Sequence, residues 1–155
     1  MVNLTAVALA GTLFSIIDFK GHSLDESFGF EADFNPVVGA VGADPFQQWS
    51  FLATSIPSQL IIQNADVQKY LSYAGAPTGS TDFAQTVIDG SNPVTFELLL
   101  VNTSPETFNI VDVKSGLALT AWGAVPGQSE LPTPVTYEIL QAGRAEQVWN
   151  ISLAT

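Results

Sequence analysis

An all-β chain built from three copies of one unit is what this sequence predicts, on three observations. Val, Ile, Phe, Tyr and Thr cluster in short runs broken by Gly, Pro, Asn and Ser, and no long stretch carries a helical period. Three blocks resemble one another: "LFSIIDFKGHSLDESFG" from Leu13, "QLIIQNADVQKYLSYAG" from Gln59 and "TFNIVDVKSGLALTAWG" from Thr107. Trp49, Phe96 and Trp149 then recur at intervals of 47 and 53 residues.

Each block reads as strand, polar turn, strand, glycine. Ile16, Ile62 and Ile110 hold equal places, and the next anchor leucine follows nine residues later at Leu71 and Leu119 but eight at Leu24, so one hairpin turn is a residue shorter. A third strand follows near "PVVGAV" (36–41), "FAQTVI" (83–88) and "TPVTYEIL" (133–140). The aromatic strand closes each unit, with Trp49, Phe96 and Trp149 expected in the core beside Phe51, Leu98 and Ile151 two residues on. Four strands repeated three times give twelve, which fits a β-trefoil: a six-stranded barrel closed by three hairpins. The expected organisation is a single domain over 1–155, with repeats at about 12–54, 55–104 and 105–155.

Composition excludes several partners. The chain has 155 residues, 46% hydrophobic, which is enough for a core of its own. Fifteen acidic residues stand against Lys20, Lys69, Lys114 and Arg144, a net charge of -11. Nucleic acid and anionic membranes need clustered bases, so neither is expected as a partner. Without cysteine there is no disulfide or thiolate site, and the lone His22, read as a turn residue, cannot assemble a histidine metal cluster or a triad. No cofactor is expected. The apolar N-terminus "MVNLTAVALAGTLFSIIDF" lacks a basic region and contains Asp18, so it reads as the first strand rather than a leader. A cytoplasmic protein, or one secreted without a classical signal peptide, is the corresponding expectation, with the sequons at Asn3, Asn102 and Asn150 unglycosylated.

Gln47-x-Trp49 and Gln147-x-Trp149, with "SLD" at 23–25 and "SGLALT" at 115–120, resemble the Gln-x-Trp repeat of ricin-B-type lectins. Cysteine-free fungal β-trefoil lectins, notably mushroom cytoplasmic ones, look most similar. The resemblance implies non-catalytic glycan binding through shallow sites, each made of an Asp after the hairpin leucine, an aromatic platform and an Asn-Gln pair opening the Gln-x-Trp motif. A carboxylate and an amide bond vicinal hydroxyls while the ring covers the apolar sugar face.

Carried over by position, the first repeat offers Asp25 and Gln47, with Phe46 where Asn is expected. The third offers Gln147 with Trp122 and Tyr137 as platforms, but has Glu146 for Asn and Thr120 for Asp. In the second, Ser72 and Val94 replace Asp and Gln, and Tyr73 and Asn92 are candidates to flank a different pocket instead. Asp25 also reads as a solvated turn-exit residue, both glutamines as structural, and Trp122 as loop packing.

Partners implied are glycans on proteins or lipids, with a homodimer left open. The alternative is a fungal β-trefoil protease inhibitor acting through an exposed loop: Lys69 or Arg144 for trypsin-like targets, "AGAPTGS" or "GAVPGQSELP" for papain-like ones. An enzyme stands third, since acids such as Glu31 and Asp33 are more simply a soluble surface.

Overall fold

The computed structural model describes residues 11–73, 75, 84–123 and 132–154. The first ten residues, and with them Asn3, lie outside that set. Its strands are β1 (Phe14–Ile17), β2 (Ser23–Glu26), β3 (Val37–Ala40), β4 (Trp49–Ala53), β5 (Gln59–Asn64), β6 (Tyr70–Tyr73), β7 (Ala84–Asp89), β8 (Thr95–Thr103), β9 (Glu106–Asp112), β10 (Leu117–Ala121), β11 (Thr133–Ile139) and β12 (Trp149–Leu153).

Antiparallel pairing runs β1 to β4, β4 to β5, β5 to β8, β8 to β9, β9 to β12 and β12 back to β1. That ring of six closes on itself and has no free edge. The hairpins β2–β3, β6–β7 and β10–β11 cap it and touch one another, through β11 against β3 and β7 and a bridge from Pro36 to Val87. The molecule is a β-trefoil.

The alternation read from the sequence sets which side chains point inward. Ile16, Ile62, Ile110, Leu24, Leu71, Leu119, Trp49, Phe96 and Trp149 are all fully buried. Phe51 and Leu98 join them, and Ile151 packs against them partly buried. The two indoles carry a further contact: Trp49 Nε1 donates to the Leu24 carbonyl at 2.9 Å and Trp149 Nε1 to the Leu119 carbonyl at 3.0 Å. The Phe96 ring has no N–H to offer, so the second repeat lacks this side-chain tie between barrel and hairpin.

A polar residue two places after each repeat isoleucine organises the hairpin turns. Asp18 Oδ1 accepts from the amides of Lys20 and His22, Asn64 Oδ1 from those of Asp66 and Val67, and Asp112 from those of Lys114 and Ser115. These are side-chain-capped turns, in which a buried acceptor replaces water for donors the strand ladder leaves free. His22 ends the first of them. Asn64 does more, because its Nδ2 also donates to the Phe46 carbonyl at 2.8 Å. Asn64→Ala is therefore expected to cost about 1–3 kcal/mol by urea denaturation, leaving the Asp66 and Val67 amides and the Phe46 carbonyl without their side-chain partner; a cost near zero would mean water replaces the amide.

Candidate functional site

In the first repeat, Asp25 on β2 and Gln47 meet in the interior. Gln47 Nε2 donates to Asp25 Oδ2 at 2.8 Å, and the residues are only 5% and 4% exposed. A short 3-10 turn at Pro45–Gln47, capped by Asp44 accepting from the Phe46 amide, brings the glutamine in. Phe46 lies against Gly29, where a Cβ would fall 2.3 Å from the ring, so Phe46 and the turn Ser27–Gly29 pack on each other. Gly29 also has φ +65°, a conformation that favours glycine. Burial pushes the Asp25 carboxyl up to about 6, helped by Asp44 and opposed by the Gln47 amide. Burial likewise raises the adjoining Glu26 to about 6, against the stabilising amide of Asn35. Asp25 and Gln47 thus satisfy each other inside the fold and present little to a ligand.

In the third repeat, two expectations need correction. Gln147 is fully buried: its Nε2 donates to Thr120 Oγ1 and the Ile139 carbonyl, and its Oε1 accepts from the Gln141 amide. The same amide that could reach a sugar fastens the end of β11 instead. Tyr137, expected as a platform, is fully buried, because β11 packs against β7 and turns this side chain inward. Its hydroxyl donates to the Ser72 carbonyl at 3.2 Å, and burial raises its pKa well above the ordinary phenol value. Trp122 is 43% exposed, with Nε1 donating to Thr136 Oγ1 and Glu138 Oε2.

The second repeat carries an open cleft of about 700 Å³. Both sequence candidates of that repeat, Tyr73 and Asn92, line it. Tyr73 is half-buried at the end of β6, edge-on to Tyr137 at 5.3 Å, and Tyr137 stacks on Phe96 at 6.3 Å. An aromatic ladder therefore connects the cleft to the barrel core. The Tyr73 hydroxyl bonds Asp112, and burial raises its pKa, so it stays a donor at neutral pH. Asp89 Oδ1 accepts from the amides of Ser91 and Asn92 and its Oδ2 from Asn92 Nδ2 at 3.0 Å, while Asp112 holds the turn that carries Lys114. Both residues are almost wholly buried, at 2% and 1%, and their carboxylates shape the two loops at the cleft wall. The cleft is lined by an amide, hydroxyls, one ammonium, the Asp89 and Asp112 carboxylates and apolar surface in a preset arrangement, groups able to bond a polyol with an apolar face.

The sequence reading missed Phe34, which also lines the cleft and is 55% exposed. A large aromatic inside the polar run "EADFNP" was the available signal. Lys69 and Arg144 are ion-paired, to Asp33 at 2.7 Å and to Glu138 at 3.0 Å. Apart from Gly75, Gly123 and Pro132, the loops "AGAPTGS" and "GAVPGQSELP" lie outside the described residues. Among the described residues no group of three or more His, Cys, Asp or Glu side chains is placed to hold a metal.

Solved structures share the architecture. The Macrolepiota procera ricin B-like lectin in complex with lactose superposes with a TM-score of 0.73 at 23% identity, covering 93% of this chain and 96% of that one. The Rhizoctonia solani agglutinin gives 0.77 at 18%, covering 96% and 99%. ThreeFoil, a designed threefold-symmetric protein, gives 0.74 at 18%, covering 92% and 99%. The likeness is one of fold. No family profile and no curated protein sequence matches the chain.

Proposed function

We propose that this protein binds carbohydrate without catalysis, through the cleft of the second repeat. The observation that carries the reading is the meeting of Tyr73 and Asn92 in one preorganised cleft, over an aromatic ladder and between loops held by buried Asp89 and Asp112. Asn92 commits its Nδ2 to Asp89, which leaves its carbonyl oxygen as the acceptor for a sugar hydroxyl. Rigid loops lower the ordering cost that weakens shallow sites. The lactose complex of a structural neighbour supports sugar as the ligand class.

A glycan array on the purified chain, followed by titration calorimetry with the tightest hit, tests this. Asn92→Ala and Tyr73→Ala are each expected to weaken binding by roughly 3- to 10-fold, the size of one lost hydrogen bond or ring contact, while Trp122→Ala leaves it unchanged. Loss of binding in Trp122→Ala alone would move the site to the third repeat. No binding to any glycan, together with inhibition of papain or trypsin, would replace the reading by protease inhibition.

A further inference from the structure

We propose that Phe34, contributed by the first repeat, is the stacking platform of the second-repeat cleft, and that the ligand it selects is a neutral pyranose with a continuous apolar face. The proposal rests on the carbohydrate reading and adds to it a residue and a ligand class.

Phe34 lies in the segment between β2 and β3, yet this segment is fastened to the second repeat. The Phe34 amide donates to the Ile88 carbonyl at 2.8 Å and the Ile88 amide to the Asn35 carbonyl at 3.0 Å. Asp33 Oδ1 accepts from the Gly90 amide at 3.0 Å and from Lys69 Nζ at 2.7 Å. On the other side Asn35 Nδ2 bonds Glu26 and, at 2.8 Å, the Ser27 carbonyl. These contacts hold Phe34 at φ +66°, a left-handed conformation costly for a residue with a Cβ. The outcome is a phenyl ring 55% exposed on the cleft, a place where water would favour a polar side chain. Strain and an exposed ring, both maintained by bonds on either side, are accounted for together when the ring has a ligand to cover.

A phenyl face attracts the C–H groups on one side of a pyranose and offers nothing to charge of negative sign. The cleft's ionic groups point the same way: two carboxylates, Asp89 and Asp112, stand against one cation, Lys114, among its described lining residues, and the chain carries -11 overall. An anionic glycan meets repulsion on approach. A neutral hexose loses nothing.

The test prints wild type, Phe34→Ala, Phe34→Trp and Asn92→Ala on one array of neutral and sialylated oligosaccharides, and titrates each with lactose and with the tightest neutral hit. Phe34→Ala is expected to lose about tenfold in affinity with an unchanged melting temperature. Phe34→Trp keeps binding, and its new indole shifts to shorter emission wavelength when the sugar is added, which a purely structural role for the ring would not produce. If Phe34→Ala binds as wild type while Asn92→Ala is weakened, the platform is refuted and the carbohydrate site stands. Binding confined to sialylated glycans overturns the neutral ligand class. Absence of any glycan binding removes the carbohydrate reading beneath both. A wild-type dimer that Phe34→Ala converts to monomer would assign the ring to self-association instead.

Discussion

Trp149→Ala is expected to destabilise the fold by about 3–5 kcal/mol, the range for deleting a large buried aromatic, and to lower the melting temperature by roughly 10–15 °C for a chain of this size. Trp149 is fully buried where β12 enters the barrel, and its indole N–H holds the Leu119 carbonyl of the capping hairpin at 3.0 Å. Truncation therefore does two things: it opens a cavity and strands a buried acceptor. Trp149→Phe separates them. It keeps most of the ring, as Phe96 does in the second repeat, and should lose only about 1–2 kcal/mol for the unpaired carbonyl. Differential scanning calorimetry on both variants decides the matter, and a Trp149→Ala protein that melts within a few degrees of wild type would contradict burial at this position.

Stability is expected to rise as the pH falls from 8 to 5, by about 1–3 kcal/mol in total. Asp25 and Glu26 carry the effect, since burial lifts both to about 6 from ordinary values of 3.8 and 4.5. Above pH 6 both are ionised in the folded and unfolded chain alike, and the folded chain bears the full penalty of charge in a poorly solvated place. Below 6 the folded chain takes up protons first, so the penalty is relieved until the unfolded carboxyls also protonate near 4. Asp44 beside Asp25, and Asp66 with Asp25 around Glu26, act in the same sense. Asp33 runs the other way: Lys69 holds its carboxyl below the usual range, so its contribution is lost only at more acid pH. Urea midpoints across this window provide the measurement. Asp25→Asn removes one of the two titrating groups and should flatten the profile while raising stability at pH 8; a wild-type midpoint that falls from pH 8 to pH 5 would refute the assignment.

The sequence by itself determined the barrel, because the signals that specify it are local and repeated. Period-two alternation sends Trp49, Phe96 and Trp149 inward whatever their distant neighbours, and three equivalent isoleucine and leucine anchors set the hairpin spacing. The polar residues that cap the turns, Asp18, Asn64 and Asp112, stand two places after each isoleucine, but their capping role emerged only with the structure. The site was another matter. An amide serves sugar and backbone with the same atoms, so only the packed structure decides that Gln147 is spent on Ile139 and Gln141, and that Gln47 is spent on Asp25. A tyrosine near a strand is platform or core according to what lies across from it, and β7 across from β11 encloses Tyr137. The cleft joins Phe34, Tyr73, Asn92 and Lys114, which are far apart in the chain and drawn together where the hairpins of a closed trefoil meet. No local pattern encodes that meeting, because it arises from closure of the whole barrel, and a residue's neighbour across a repeat boundary exists only once the chain has folded.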